Sequence, residues 1–164
     1  MIVGTRRKDP AVLRLVAESD IPVFFAHQLD PISSWQVAFI HKDPTDRDAF
    51  NAHTAEALND ETVIMRTIVV DDEVAGYLTK YDIDGKPQIG FVLGREFWGK
   101  GIATDSAREF LSIYSKRPVY ARTAFDNDAS MRVLQKLGFK RTSEGNYFSN
   151  ARGAEIVEIL WTLE

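Results

Sequence analysis

An α+β fold is the architecture this sequence predicts, on three observations. Three β-rich runs, Thr62–Val70, Val74–Tyr81 and Gln88–Leu93, follow one another across turns too short for a crossover helix, so they form an antiparallel meander. Ala103, Ala107, Phe110, Leu111 and Tyr114 then recur at helical spacing. Strand and helix patterns alternate beyond them, ending in two more strands. The chain has 164 residues, the size of one domain, and no repeat, low-complexity tract or linker divides it, so 1–164 reads as a single unit.

Each element has a local cause. Val12–Val16 alternates apolar and polar residues, as a first strand does. Ser19-Asp20-Ile21-Pro22 supplies a cap and an early proline for a helix toward Leu29, and Asp30-Pro31-Ile32-Ser33-Ser34 is expected to break it. Trp35–Ile40 is apolar and of undecided type. Thr45–Leu58 fits a second helix, with Asp46 and Asp48 near its positive end. Asp71-Asp72 and Asp84-Gly85 turn the meander. The long helix starts near Gly101 and ends at Arg117-Pro118. Val119–Phe125 is a strand, Ala129–Leu137 a short helix closed by Gly138, and Phe139–Phe148 and Glu155–Leu163 the last strands. The expected molecule has a mixed, mostly antiparallel twisted sheet of six to seven strands with about four helices.

Composition narrows the chemistry. There is no cysteine, which removes disulfides, thiolate metal sites and a cysteine nucleophile. The histidines, His27, His41 and His53, follow no metal-ligand spacing, so no metal is expected. A net charge of −4 disfavours broad docking on nucleic acid or anionic membrane. No apolar run approaches the ~20 residues of a membrane span, and Met1–Leu15 lacks the apolar stretch of a signal peptide. A cytoplasmic protein, monomer or homodimer, is the expectation.

The informative segment runs Gln88-Ile-Gly-Phe-Val-Leu-Gly-Arg-Glu-Phe-Trp-Gly-Lys-Gly-Ile-Ala-Thr104: a strand, a glycine turn, a helix start. Gly99 and Gly101 let backbone N–H groups converge, and the helix dipole adds positive charge, so the turn suits a pyrophosphate. Gly94-x4-Gly99-Lys100-Gly101 approaches a P-loop, with Asp126 as its distal aspartate, but Gly101 stands where a magnesium-binding hydroxyl is needed. The dinucleotide pattern lacks its third glycine at Thr104. Both also require a parallel sheet, which the meander contradicts.

Trp98-Gly99-Lys100-Gly101-Ile102-Ala103 resembles motif A of the GCN5-related N-acetyltransferases (GNAT), and Asn127-Asp-Ala-Ser130…Lys136-Leu-Gly138-Phe139 resembles their motif B, one helix and one strand later. The likeness covers Thr62 to the end and is greatest to the branch that acetylates ribosomal-protein N-termini, where a tryptophan often precedes the turn. The resemblance implies an acetyl-CoA-dependent N-acetyltransferase acting by direct attack of a primary amine, on a protein N-terminus or a small molecule, in a ternary complex. A V-shaped cleft between two parallel neighbours, Gln88–Leu93 and Val119–Phe125, would hold acetyl-CoA, opened by a bulge at Gly90. Phe91, Val92 and Leu93 would pair with pantetheine, and Trp98, Gly99, Lys100, Gly101, Ile102, Ala103 and Thr104 would surround the pyrophosphate. Asn127 and Ser130 would contact the pantetheine end.

For catalysis the resemblance implies the Val92 N–H as oxyanion donor and Ser130 as proton donor to the thiolate, because the usual motif B tyrosine is Leu134 here. The usual strand glutamate is Gln88, so the base is open among Asp82, Asp84, Glu144 and Tyr147. Trp35, Phe39, Tyr147 and Phe148, with Asp30 or Asp43, could line the acceptor side. A non-catalytic acyl-CoA-binding module is the alternative, and a nucleotide-binding P-loop protein a weaker one.

Overall fold

The computed structural model describes residues 10–164. Residues 1–9, most of the Met1–Leu15 stretch weighed above as a signal peptide, lie outside them. Seven strands form one sheet: β1 (Val12–Arg14), β2 (Ile64–Val70), β3 (Glu73–Ile83), β4 (Lys86–Leu93), β5 (Val119–Ala124), β6 (Lys140–Ser149) and β7 (Ala154–Leu163), in the order β1-β2-β3-β4-β5-β7-β6. Every neighbouring pair is antiparallel except β4 and β5. The described residues hold five α-helices: α1 (Ile21–Leu29), α2 (Pro31–Val37), α3 (Arg47–Asn59), α4 (Ile102–Ile113) and α5 (Asp128–Lys136).

One helix more than expected is present, and the expected break at Asp30–Ser34 is a correction. Asp30 accepts a hydrogen bond from the Ile32 N–H at 3.0 Å, and Pro31 occupies the first helical position. The residues that end α1 therefore start α2, because a cap and a proline at N1 serve a beginning as well as an ending. Asp20 also departs from its expected capping role. Its buried carboxylate leaves α1 uncapped and instead takes two bonds from Arg14, at 2.6 and 2.8 Å, with one each from the Ala17 N–H and Thr67 Oγ1. This network joins β1, β2 and the start of α1, and the Arg14 guanidinium, opposed by burial, holds the Asp20 carboxyl down to about 2.

The core lies between the sheet and α4 with α5. Ile102, Ala107, Phe110 and Leu111 of α4 pack with Ile68, Leu78, Ile89, Val119, Ile159 and Trp161 of the strands. A smaller cluster, Phe24, Phe25 and Phe50, holds α1 and α3 on the opposite face beside Tyr77. The sheet is thus covered on both faces, and the gap left in it is bounded on both sides by ordered elements.

Candidate active site

The gap is between β4 and β5. These strands share a single register pair, Gln88 with Tyr120, and part beyond it. The residues after the pair, Phe91 to Leu93, have no strand partner on that side. A cavity of about 280 Å³ fills the opening, lined by Phe91, Val92, Leu93, Trp98, Gly99, Gly101, Ile102, Ala103, Thr104, Asn127 and Ser130. Of the residues expected around a cofactor, Lys100 is absent from the lining. Other residues line it that were not expected there, among them Gln36 from α2 and Arg132 and Lys136 from α5. The two cations are four apart on one helix, a spacing that puts both on the same face.

The turn is built for convergence. Gly99 and Gly101 have φ of 72° and 76°, and no atom lies within 4 Å of where a Cβ would stand on either. Gly101 precedes α4, whose first turn carries no side-chain cap, so its N–H groups are available to an anion. The indole Nε1 of Trp98 donates to the Leu93 carbonyl at 3.0 Å, tying the turn back to the strand it leaves.

The strand ladder corrects two expectations. Gly90 is not a bulge: β3 and β4 pair without a register shift from Gly76–Leu93 to Ile83–Lys86. The gap arises because the pairing of β4 with β5 ends after Gln88 and Tyr120. Val92 is the second correction. The Gly94 N–H donates to the Ala75 carbonyl at 2.8 Å, and counting along the unbroken register makes Tyr77–Val92 the next hydrogen-bonded pair. The Val92 carbonyl lies against Gly76, where a Cβ would be 1.9 Å from its oxygen, which is why only glycine fits there. The main-chain groups directed into the gap are therefore those of Phe91 and Leu93, not the Val92 N–H. Of these, the Leu93 carbonyl is already taken by Trp98.

Motif B residues act first on the fold. Asn127 Oδ1 accepts from the Ser130 N–H at 3.3 Å, capping α5, and its Nδ2 donates to the Gln36 carbonyl at 3.2 Å, fastening α2 across the cavity. Gly138 closes α5, with φ of 94° and the Phe139 N–H reaching the Leu134 carbonyl at 3.0 Å. Asp126 is held by Arg152 through two bonds of 2.8 Å, an ion pair that leaves it no magnesium-binding role.

The expected base candidates disperse. Asp82 pairs with Lys80 at 3.1 Å, Glu144 with Arg141, and Asp84 sits in a hairpin turn. Asp30 is bound to Arg95 and Asp43 to Thr45. Trp35 and Phe148 are exposed, and Arg152 lies 5.0 Å from the Trp35 ring centroid. These groups do not form one pocket. Tyr147 is half exposed and lies away from the cavity lining, on the face where Arg122 pairs with Glu158 at 3.0 Å; though opposed by burial, the Arg122 guanidinium is held above its ordinary value by that carboxylate. Glu158 was not suggested by any motif, although β7 alternation would have placed it on this face.

The family model described as an acetyltransferase (GNAT) domain matches residues 11–140. The chain belongs to the GNAT acetyltransferase family. An uncharacterized N-acetyltransferase p20 of Bacillus licheniformis is 30% identical over 100 residues, and the match spans 56% of each protein. This GNAT fold is shared with solved structures of low sequence identity. RimL, a ribosomal L7/L12 α-N-protein acetyltransferase in complex with coenzyme A, superimposes with a TM-score of 0.79 at 20% identity, over 94% of this chain and 93% of that one. Spermidine N-acetyltransferase from Vibrio cholerae, in complex with CoA and spermine, gives 0.77 at 15% identity, over 92% and 94%.

Proposed function

We propose that this GNAT domain transfers an acetyl group from acetyl-CoA to a primary amine by direct attack. The observation that carries the reading is the single pairing of β4 with β5, which leaves unpaired strand backbone beside a glycine turn opening a helix. Pantetheine is a chain of amides, and the Phe91 carbonyl and the Leu93 N–H offer it a strand edge. The turn Gly99–Thr104 receives the pyrophosphate, and Arg132 and Lys136 add the positive charge that an anionic ligand needs on a chain of net charge −4.

With acetyl-CoA so placed, the thioester lies near the vertex of the gap. The acceptor's neutral nitrogen attacks the carbonyl carbon, the C–N bond forms, and the C–S bond breaks. The Phe91 N–H, directed into the gap, replaces Val92 as the oxyanion donor. Ser130, which lines the cavity, passes its hydroxyl proton to the departing thiolate and takes back the one that the attacking nitrogen loses, so that amide and thiol are the products and no alkoxide is left. Orientation and charge stabilisation are the work of the site, and no acyl-enzyme is needed in a chain without cysteine. Likeness to structures acting on a ribosomal protein and on spermidine supports an amine acceptor as a class.

Thiol release with acetyl-CoA and an amine panel tests this. We expect turnover above hydrolysis, and a Ser130→Ala variant whose kcat falls 10-fold or more at unchanged acetyl-CoA affinity. Saturable acetyl-CoA binding without turnover of any amine would make the domain an acyl-CoA-binding module instead. An unchanged kcat would remove Ser130 from the reaction.

A further inference from the structure

The cavity between β4 and β5 does not end at the glycine turn. Because the two strands are parallel and α4 and α5 follow them in turn, both helices begin at the same end of the sheet. The cavity touches α4 only as far as Thr104, its third residue. Along α5 it continues through Ser130, Arg132 and Val133 to Lys136, the last residue of that helix. At 1.5 Å per residue, Ser130 to Lys136 is about 9 Å. The opening thus runs past the place given to the pyrophosphate, along one face of α5.

That extension is charged. Arg132 and Lys136 are both exposed, and neither side chain makes a hydrogen bond or ion pair with another described residue. Among the described residues no Asp or Glu lines the cavity, although the chain holds 24 acidic residues against 20 basic ones. A lysine in the last turn of a helix answers its dipole; an arginine in the middle of α5 has no such reason to be there. The glycine turn needs neither cation. Gly99, Gly101 and the uncapped first turn of α4 offer it N–H groups, and its own Lys100 does not line the cavity. Two cations about one helical turn apart, beyond the first anion site, fit a second anion on the same ligand.

Resting on the acetyl-transfer reading, we propose that Arg132 and Lys136 bind the 3′-phosphate on the ribose of acetyl-CoA and so set this chain's preference for acetyl-CoA over its 3′-dephospho form. On that cofactor the 3′-phosphate is the anion separate from the pyrophosphate, a monoester that carries about −1.5 to −2 near pH 7. The guanidinium of Arg132 takes two of its oxygens in a forked pair, and the Lys136 ammonium adds a point charge. Backbone N–H groups at the turn give affinity for the diphosphate alone, whichever nucleotide carries it. The cations of α5 supply the selection between nucleotides. Both are exposed, so the selection weakens as salt rises.

The test compares CoA with 3′-dephospho-CoA by calorimetry on the full chain, in the parent, Arg132→Gln, Lys136→Gln and the double variant. The parent is expected to bind CoA about 10-fold or more tightly than 3′-dephospho-CoA. Each single variant lowers that ratio, Arg132→Gln by more, and the double variant abolishes it, while affinity for 3′-dephospho-CoA hardly moves. A rise in melting temperature with 3′-dephospho-CoA shows that each variant is folded. Equal affinity for the two ligands in the parent overturns the proposal, and so does a ratio that survives the double variant. Losses of the same size for both ligands overturn it too, by placing the two cations on the pyrophosphate. Failure of the parent to bind either ligand would instead remove the acetyl-transfer reading, and this proposal with it.

Discussion

Gly101 and Asp20 show how much a single residue can decide here. A side chain at Gly101 meets no protein atom within 4 Å, so the fold can accommodate one at the cost of a left-handed backbone, about 1–2 kcal/mol. The space it fills is the cavity. Gly101→Val should therefore fold, with a modestly lower melting temperature, and lose stabilisation by acetyl-CoA. A variant that acetyl-CoA still stabilises would place the pyrophosphate elsewhere. Asp20 acts on the fold alone. Its carboxyl sits at about 2, below its unfolded value near 3.8, so its stabilisation is full above the unfolded value and lost as pH falls toward 2. The shift corresponds to about 2 kcal/mol. Asp20→Asn should be less stable than the parent at pH 7, and urea titrations down the pH scale should show the difference shrinking between pH 5 and 2. A constant difference would mean that charge is not what Asp20 contributes. The sequence marked Asp20 as a cap because the residue stands directly before a proline-started helix. Its real partners, Arg14 and Thr67, are 6 and 47 residues away, and only the second distance is beyond local reasoning.

At the scale of elements, α2 and the segment after it form a strap across the cavity. Their carbonyls are held one by one from the other end of the chain: Trp35 by Arg152, Gln36 by Asn127, Ala38 by Ser149 and Ile40 by Asn150. Ala38 is fully buried at φ 67° and ψ −45°, with the Phe39 N–H bonded to the Val37 carbonyl, a tight and strained turn for a residue with a side chain. Ser149 Oγ donates to the Ala38 carbonyl at 2.6 Å. Removing it leaves a buried acceptor unpaired, about 1–3 kcal/mol. Ser149→Ala should lower the melting temperature and, because the strap carries Gln36 and Val37 on the cavity wall, weaken acetyl-CoA binding as well. Equal acetyl-CoA affinity in calorimetry would show that the strap does not shape the site. None of this was legible in the sequence. The meander, the long helix and motif B follow from period, turn residues and caps, which are local. The strap depends on bonds across about a hundred residues, and its helix hid behind a proline that reads equally as a stop or a start.

For the molecule as a whole, topology does what the motifs alone could not. A P-loop and a GNAT turn share glycines, a lysine and a helix start; they differ in the sheet that delivers them. Of the five antiparallel strand pairs, β2 with β3 and β3 with β4 were readable from hairpin signals and alternation. The one parallel contact, which makes the gap, was placed correctly only through resemblance, and the direction of its backbone groups emerged from the register, which turns Phe91 rather than Val92 toward the gap. The cavity wall that α2 supplies was the least legible part of the site, since Gln36 and Val37 come from a segment whose type the sequence left undecided.

Acetyl transfer by this chain requires that the β4–β5 gap bind acetyl-CoA. Thermal unfolding with acetyl-CoA and, separately, with Mg–ATP tests it most directly. A ligand present at about 100 times its dissociation constant adds roughly 2.7 kcal/mol, which raises the midpoint of a domain this size by about 5–11 °C. That rise is expected with acetyl-CoA, none with Mg–ATP, and none with either in Gly101→Val. A rise with Mg–ATP and none with acetyl-CoA would contradict it.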